Sequence, residues 1–506
     1  MNQNFTMPDY LFETSWEVCN KVGGIHTVIA TKSLYLGNSF KKNHHIHIGP
    51  DVWRDVAQNP EFSEDPALFR SWRQAAAEEG LRLRIGHWNV PGEPVAILVD
   101  FTTFISHKDE ILTELWKRFG VDSISGGWDY VESALFGYAA GKVIESFVRY
   151  NVKPHDKVVA QFHEWMTGAG LLYVKMSNLP IGTIFTTHAT VIGRCVAGKN
   201  IPLYDGLAGL DADRLSHEYG VVARHSLEKA SAVASDVFTT VSEITALECK
   251  QFLGRDCDVI TPNGFENSIT PAAEDYDDCR KAARRKLLEV ASAMGGEAYP
   301  EDSLLVAISG RYEYSNKGID VFLEAMSRLG RDPRLEKDIL AFVMVPGCEM
   351  PHRDEGKVKV IFVPYYLTGN DGMLNMTYYD LVLGNDLCIY PSYYEPWGYT
   401  PLEAIAFKVP CITTDLAGFG LWAQGEGVDN IEQGVRVIHR TDYNYEQVAD
   451  EIKDTVMLFA SFDENKVKNA RQQAAKLSKK ALWKHFIRQY EKAYDLALRK
   501  AEARMA

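Results

Sequence analysis

Two glutamates eight positions apart, Glu395 and Glu403, stand in the stretch YPSYYEPWGYTPLEA at 390–404. A carboxylate can act as a base, a nucleophile or a hydrogen-bond acceptor. A loop crowded with tyrosine, tryptophan and proline makes an unpaired one costly to hold. Glu403 has a structural explanation on spacing alone. Pro401 suits the first position of a helix, which places Thr400 at the N-cap and Glu403 three residues on, the pattern of a capping box. Glu395 has no such explanation and is the candidate that meets a ligand. The N–H groups that open this helix, those of Tyr399 and Thr400 among them, would face an incoming phosphate.

A second segment, SGRYEYSNKGID at 309–320, directly follows the apolar run SLLVAIS. Arg311 and Lys317 flank a polar loop that opens a helix at about Gly318, and two cations beside a helix start suit a diphosphate. The bland alternative is a pair of surface cations. Near the N-terminus, WEVCNKVGGIHTVIATK at 16–32 carries Lys21 beside Gly23 and Gly24. The paired glycines permit a tight turn into a helix but lack the full G-x-G-x-x-G, so a nicotinamide dinucleotide is poorly supported. FTTHATVIGR at 185–194 puts His188 at a strand end and Arg194 six residues on. FHEW at 162–165 is not H-E-x-x-H, and HHIHIG at 44–49 alternates like a strand without identifiable further metal ligands.

These segments need rigid elements behind them. Short apolar, β-branched runs recur, each followed by a helix-like pattern: DYLFETS, KVVAQF, IGTIFTT, DVFTTVS, SLLVAIS, ILAFVMV, KVIFVPY, DLCIYPS and PCITTD. Such alternation predicts an α/β fold with doubly wound parallel sheets. Ser242 is placed as a helix N-cap. With 506 residues the chain exceeds a single core. A polar, Gly- and Pro-punctuated seam over 264–302, with one exposed helix, predicts domains at 1–275 and 276–475. The tail reads as one long basic helix pattern, with Leu482, Phe486, Tyr490, Ala493 and Ala497 on one face; its last part, 476–506, is expected to pack back on the first domain. Two doubly wound domains facing across a cleft would bind a ligand at the carboxyl ends of their strands. Each candidate segment follows a predicted strand.

The net charge of −14 disfavours nonspecific nucleic-acid binding. No window of roughly 18 apolar residues spans a membrane, and the first residues lack a signal-peptide core. Eight cysteines without C-x-x-C spacing point to a reducing compartment, so a cytoplasmic protein is expected.

Together YPSYYEPWGYTPLEA, FTTHATVIGR, SGRYEYSNKGID, FHEW, VFTTVSEITALE, TPNG and NKVGGIHTV resemble the glycogen synthases of the eukaryotic type, over about residues 11 to 420. Those are retaining glucosyltransferases that use UDP-glucose. Glu395 and Glu403 also match the E-x7-E signature of retaining transferases with two Rossmann-like domains, the GT-B architecture. The resemblance implies glucosyl transfer to the non-reducing end of an α-1,4-glucan, with no cofactor and no metal. By resemblance Glu395 is the catalytic carboxylate, Arg311 and Lys317 neutralise the donor diphosphate, Glu403 holds the ribose and Tyr379 stacks on uracil. Lys21, Gly23 and Gly24 match the loop that closes over the phosphates. His188, Arg194 and Asn263 match sugar-side residues.

Two departures carry expectations of their own. Only PGCEMPHRDEGK lies where the eukaryotic enzymes have a long helical insertion, so their coiled-coil tetramer is not expected, although another oligomer is possible. The arginine-rich regulatory helix is reduced to lysines and Arg471, and phosphorylated terminal extensions have no counterpart, which implies a constitutive, bacterial-style enzyme. A related transferase using ADP-glucose or another acceptor, and a catalytically idle glycan-binding homologue, stay open as alternatives.

Overall fold

The computed structural model describes residues 5–37, 39–53, 59–348, 350 and 353–506. They form two units: 1–195 with 207–264 and 483–506, and 196–206 with 265–482. The seam therefore closes at Gly264, ahead of the boundary at 275/276 that the polar composition suggested. The helix Tyr276–Gly295 belongs to the second unit. It is not simply exposed, because Tyr276, Ala283, Leu287, Val290 and Ala291 are buried.

The first unit is built on β1 (Tyr10–Thr14), β2 (His45–Pro50), β3 (Phe62–Glu64), β4 (Leu83–Trp88), β5 (Val95–Val99), β6 (Val158–His163), β7 (Ile181–Thr187), β8 (Val237–Thr240) and β9 (Val259–Ile260). Their order is β3-β4-β5-β2-β1-β6-β7-β8-β9. β3, β4 and β5 pair antiparallel at one end, and the other pairings are parallel. β1, β2, β5, β6 and β7 are buried along their whole length, as continuous apolar runs in a two-sided sheet require. The core gathers Phe12, Ile46, Ile97, Phe136, Phe147, Phe162 and Phe185 between sheet and helices.

The second unit holds β10 (Leu304–Ser309), β11 (Ile339–Met344), β12 (Arg353–Glu355), β13 (Val358–Val363), β14 (Leu387–Ile389), β15 (Cys411–Thr414) and β16 (Val435–Ile438), in the order β12-β13-β11-β10-β14-β15-β16. Leaving aside the short antiparallel β12, the parallel strands lie in the spatial order third, second, first, fourth, fifth, sixth. That is the doubly wound Rossmann order, and the winding reverses between β10 and β14. Both units are thus of the kind from which the GT-B class is made.

The tail is two helices, not one. Glu464–Ser478 belongs to the second unit and Trp483–Met505 to the first, with a short 3-10 turn at Lys479–Ala481 between them. Phe486, Tyr490, Ala493 and Ala497 are buried as the periodicity predicted, whereas Leu482 precedes the helix. Within the first unit this helix lies so close to β7 that a Cβ on Gly182 would stand 2.9 Å from the Ala497 backbone. Ser242 caps its helix, accepting from the Thr245 N–H. Among the described residues no helix is long and apolar enough to cross a membrane.

Candidate active site

In the second unit the loops leaving β10 and β14 arise from neighbouring parallel strands, Val306 opposite Leu387 and Ala307 opposite Cys388. They lie at the point where the winding reverses. The backbone carbonyl of Asn316 accepts from the N–H groups of Tyr393 (2.9 Å) and Tyr394 (3.1 Å), which ties one loop to the other. Gly318 adopts φ +71, and a Cβ there would meet the Pro391 carbonyl oxygen at 2.2 Å. Only glycine combines that left-handed conformation with so close an approach. Arg440, buried, donates to the same Pro391 carbonyl. On its far side the β14 loop is pinned by Gly418 N–H to the Glu395 carbonyl (3.1 Å) and Phe419 N–H to the Trp397 carbonyl (2.8 Å).

This scaffold brings Lys317 and Glu395 into direct contact, ammonium to carboxylate. Their side chains are 17% and 15% exposed, so the pair is shielded yet reachable. Arg311 lies on the same loop, 69% exposed, with its guanidinium 2.9 Å from Glu313. The helix that follows, Ile319–Gly330, does not offer its first amides to an anion. Ile319 N–H (2.9 Å) and Asp320 N–H (3.4 Å) both point at the Tyr314 carbonyl, so any diphosphate attraction here comes from the side chains.

The capping box expected at Thr400 does not form. Gly398, at φ +112, is the N-cap of the helix Tyr399–Ala406 and carries no side-chain cap. Its left-handed conformation starts the helix two residues ahead of Pro401, which then sits third, still among the positions whose N–H has no intrahelical partner. Tyr399 and Thr400 become the first two helical residues. Glu403, released from a capping role, accepts instead from the Tyr379 hydroxyl at 2.9 Å. Burial pushes the Glu403 carboxyl up to about 7, with the Tyr379 hydrogen bond acting the other way. Tyr379 lies flat against Phe407, ring centroids 5.7 Å apart and planes 9° apart, and is 37% exposed.

In the first unit, candidates gather at the carboxyl ends of β1, β6 and β7. Lys21 is exposed beside the turn. Glu17 receives the N–H groups of Gly23 (2.8 Å) and His26 (2.9 Å) and so fixes the entry to the helix Gly24–Leu36. A side chain at Gly24 would meet nothing within 4 Å, so packing within the chain does not demand glycine there. His188 is the first residue past β7 and is 9% exposed; its Nε2 lies 3.1 Å from Nδ1 of His163. Its backbone N–H donates to Glu164, the residue past β6, which also receives the Ala189 N–H. Glu164 holds φ +69, an uncommon conformation for a side-chain-bearing residue. Arg194, exposed on the helix Val191–Gly198, acts on the Glu164 carboxyl through space. Asn263, 6% exposed, has no hydrogen-bond partner for its Oδ1.

His163, Glu13 and Lys32 were missed by sequence reasoning, although FHEW had drawn attention to the segment containing His163. The three converge with His45 in a dry cluster, Glu13 and Lys32 both 0% exposed. Glu13, His45 and His47 also offer ligand atoms within 4.8 Å of one another. The Lys32 ammonium already occupies that carboxylate at 2.8 Å, and its charge opposes a metal dication at the same place.

Comparison with known proteins places these loops in a family. The glycogen synthase family model matches residues 13–353 and 347–505. The chain is 29% identical to rat liver glycogen [starch] synthase over 594 aligned residues, covering 97% of this chain and 83% of that one. It is 27% identical to isoform 2 of the Saccharomyces cerevisiae enzyme, covering 97% and 86%. In fold it is similar to the catalytic domain of starch synthase IV from Arabidopsis thaliana, solved bound to ADP and acarbose, with a TM-score of 0.62, 17% identity and coverage of 97% and 100%. With a family model matched along nearly the whole chain, this protein belongs to the glycogen synthase family.

Proposed function

We propose that this chain transfers glucose from UDP-glucose to the non-reducing end of an α-1,4-glucan with retention of anomeric configuration. The observation that carries this is the family match over both units, joined to a cation–carboxylate pair, Lys317–Glu395, at the winding reversal of the second unit. Departure of a nucleoside diphosphate places negative charge on the leaving phosphate. Arg311 and Lys317 are cations on one short loop that would stabilise it, Lys317 held in place by its partly buried pair and Arg311 reaching from the surface, a form of electrostatic catalysis. Before the donor arrives Lys317 is paired with Glu395. When the diphosphate enters, the ammonium exchanges one anionic partner for another and leaves the Glu395 carboxylate facing the glucosyl ring.

Hydrolases that retain configuration use two flanking carboxylates. Glu395 is the one carboxylate that the resemblance sets beside the glucosyl ring, so we assign a front-face transfer in which the leaving phosphate helps deprotonate the acceptor hydroxyl. Tyr379, already flat on Phe407, would stack on the base, and Glu403 would accept from the ribose. Tyr399 and Thr400 bring the first two N–H groups of their helix to the phosphates. On the first unit, Lys21, Gly23 and Gly24 would lie along the phosphates, the open space at Gly24 leaving room for close approach. His188, Arg194 and Asn263 would hold sugar hydroxyls, the unpartnered Oδ1 of Asn263 being one acceptor. The two cations do the work a metal does in other transferases, and no cofactor is invoked. The partners are then a nucleotide sugar and a glucan in the cytoplasm. The deciding experiment is transfer of radiolabelled glucose to glycogen from UDP-glucose and, separately, from ADP-glucose. Transfer from UDP-glucose at the higher kcat/KM supports the proposal. A preference for ADP-glucose overturns the donor, and no transfer from either makes the chain a binding protein.

A further inference from the structure

His188 stands at the end of a buried chain of polar groups. Its Nε2 is 3.1 Å from Nδ1 of His163; Nε2 of His163 is 3.3 Å from Oε2 of Glu13; that oxygen is 2.8 Å from the Lys32 ammonium; and Oε1 of Glu13 is 2.8 Å from Nε2 of His45. Lys32 further reaches Gln161 at 3.4 Å and stands 4.4 Å over the ring of Tyr490 on the last helix. Tyr490 and Tyr494 are fully buried and cover the cluster. The charged and titratable groups acting on His188 are therefore His163, Lys32 and Arg194, while the Glu164 carboxylate receives its backbone N–H.

The protons in this chain can be assigned. Burial works against an ionised Glu13, but the Lys32 ammonium and the hydrogen bonds from His163 and His45 hold its carboxyl well below the usual range. Burial, together with the charge of Lys32, keeps His163 below its ordinary value. Burial, then His163, Lys32 and Arg194, keep His188 well below its own. Lys32 already balances the Glu13 carboxylate in this dry interior, so a charge on either ring would go uncompensated, and both rings are read as neutral. A carboxylate accepts only, so His163 donates from Nε2 and its Nδ1 carries the lone pair. His188 must then donate from Nε2, which leaves its own Nδ1 as an acceptor.

We propose that Lys32, Glu13 and His163 are positioning residues that fix His188 as the neutral Nε2–H tautomer, with Nδ1 presented as the acceptor for a hydroxyl of the transferring sugar. This rests on the sugar-side role given to His188 above. An imidazolium at that place would oppose the positive charge that develops on the sugar ring in the transition state; a neutral acceptor does not. The chain thus acts on the transition state more than on donor binding.

Three measurements decide it. Long-range proton–nitrogen NMR of the full chain labelled with ¹⁵N-histidine, assigned with His188→Ala, reads the tautomer directly. The Nε2–H form in the wild-type protein at pH 7 is expected. The Nδ1–H form or an imidazolium overturns the proposal, whether or not any variant folds. The paired substitution Glu13→Gln with Lys32→Met removes both charges without stranding either. It should lower kcat roughly 10- to 100-fold, the usual effect of losing an outer-shell partner, with the KM for donor within about threefold; unchanged kcat overturns it. His163→Gln can still donate to Glu13 and accept from His188, so it should recover most of the turnover that His163→Leu loses. Equal losses would make His163 mere packing and also overturn the proposal. If His188→Ala turns over normally while the tautomer is as expected, the sugar-side assignment fails and the proton assignment stands.

Discussion

Glu403→Gln gives the sharpest test of the electrostatics around the second-unit site. The wild-type carboxyl, ordinarily near 4.5, is pushed up to about 7 by burial. At about 1.36 kcal/mol per tenfold change in proton affinity, the folded chain disfavours the ionised form by about 3 kcal/mol. The unfolded chain loses this proton near 4.5 and the folded chain near 7. Between those pH values the folded state holds a proton the unfolded state lacks, so this group's contribution to stability falls as pH rises and levels off above the window. Glutamine preserves the shape and still accepts from the Tyr379 hydroxyl, but it has no proton to lose. The variant should therefore gain on wild type by about 2–3 kcal/mol between pH 5 and pH 8. Urea denaturation of both proteins across that range measures the difference, with hydrogen exchange reporting the second unit because a two-unit chain need not unfold in one step. Parallel stability profiles would refute the burial argument. The same group ties to function. If a ribose hydroxyl donates to this carboxylate, binding favours its ionised form, and at pH 7 UDP should release about half a proton. Calorimetry in buffers of different ionisation enthalpy reads that number. No release, or uptake, would remove Glu403 from the nucleotide site.

Three further substitutions probe the frame. Glu395→Ala should lower kcat by about 10²- to 10³-fold while UDP affinity, by equilibrium titration, stays within about threefold, since Lys317 remains free for the phosphate; a fall in affinity as large as that in kcat would contradict the assignment. Gly318→Ala combines a left-handed φ with a Cβ 2.2 Å from the Pro391 carbonyl oxygen and should destabilise the second unit by about 2–4 kcal/mol in urea unfolding, where a wild-type midpoint would show that the two loops are not locked together. Asp386, paired with Arg280 at 2.6 Å and Arg284 at 2.8 Å and receiving the Leu305 N–H at 3.0 Å, ties the helix Tyr276–Gly295 to the sheet; Asp386→Ala strands two arginines and should cost about 3–5 kcal/mol by the same measurement, a loss below about 1 kcal/mol arguing against the bridge.

Most of the parallel strands were legible because they are buried on both faces and so appear as unbroken apolar runs; the short β9 and the VRVI of β16 were not. IGTIFTT is β7 residue for residue, and ILAFVMV differs from β11 by its last position. The antiparallel strands β3 and β4 were not, since FSE and LRIGHW carry the mixed composition of a sheet edge; the apolar VAILV of β5 was passed over although it is buried throughout. The start of the helix after Glu395 was misplaced because Pro401 fits either the first or the third position. Only the positive φ of Gly398, invisible in composition, decides between them. Loop candidates such as Arg311, Lys317 and Glu395 stood out through their unusual neighbours. Glu13 and Lys32 did not, because each lies inside an ordinary strand or helix pattern and their significance comes from residues more than a hundred positions away, His163 and Gln161.

Each unit places a lysine on a carboxylate near the carboxyl ends of its central strands, and exposure decides what each pair can do. Lys32–Glu13 is 0% exposed on both sides. Removing either partner leaves a bare charge in a dry interior, at a cost of several kcal/mol, so no ligand can exchange for one of them and the pair can only hold its surroundings in place. Lys317–Glu395 is 17% and 15% exposed. Water and a phosphate oxygen can reach the ammonium there, and an arriving anion would replace the carboxylate without leaving the lysine unpaired. On the proposed reading, the carboxylate would be freed as the diphosphate binds. A wholly exposed pair would hold neither group in place, and a wholly buried one could not open. Partial burial is what would allow the same two side chains to bind the proposed donor and then act on it.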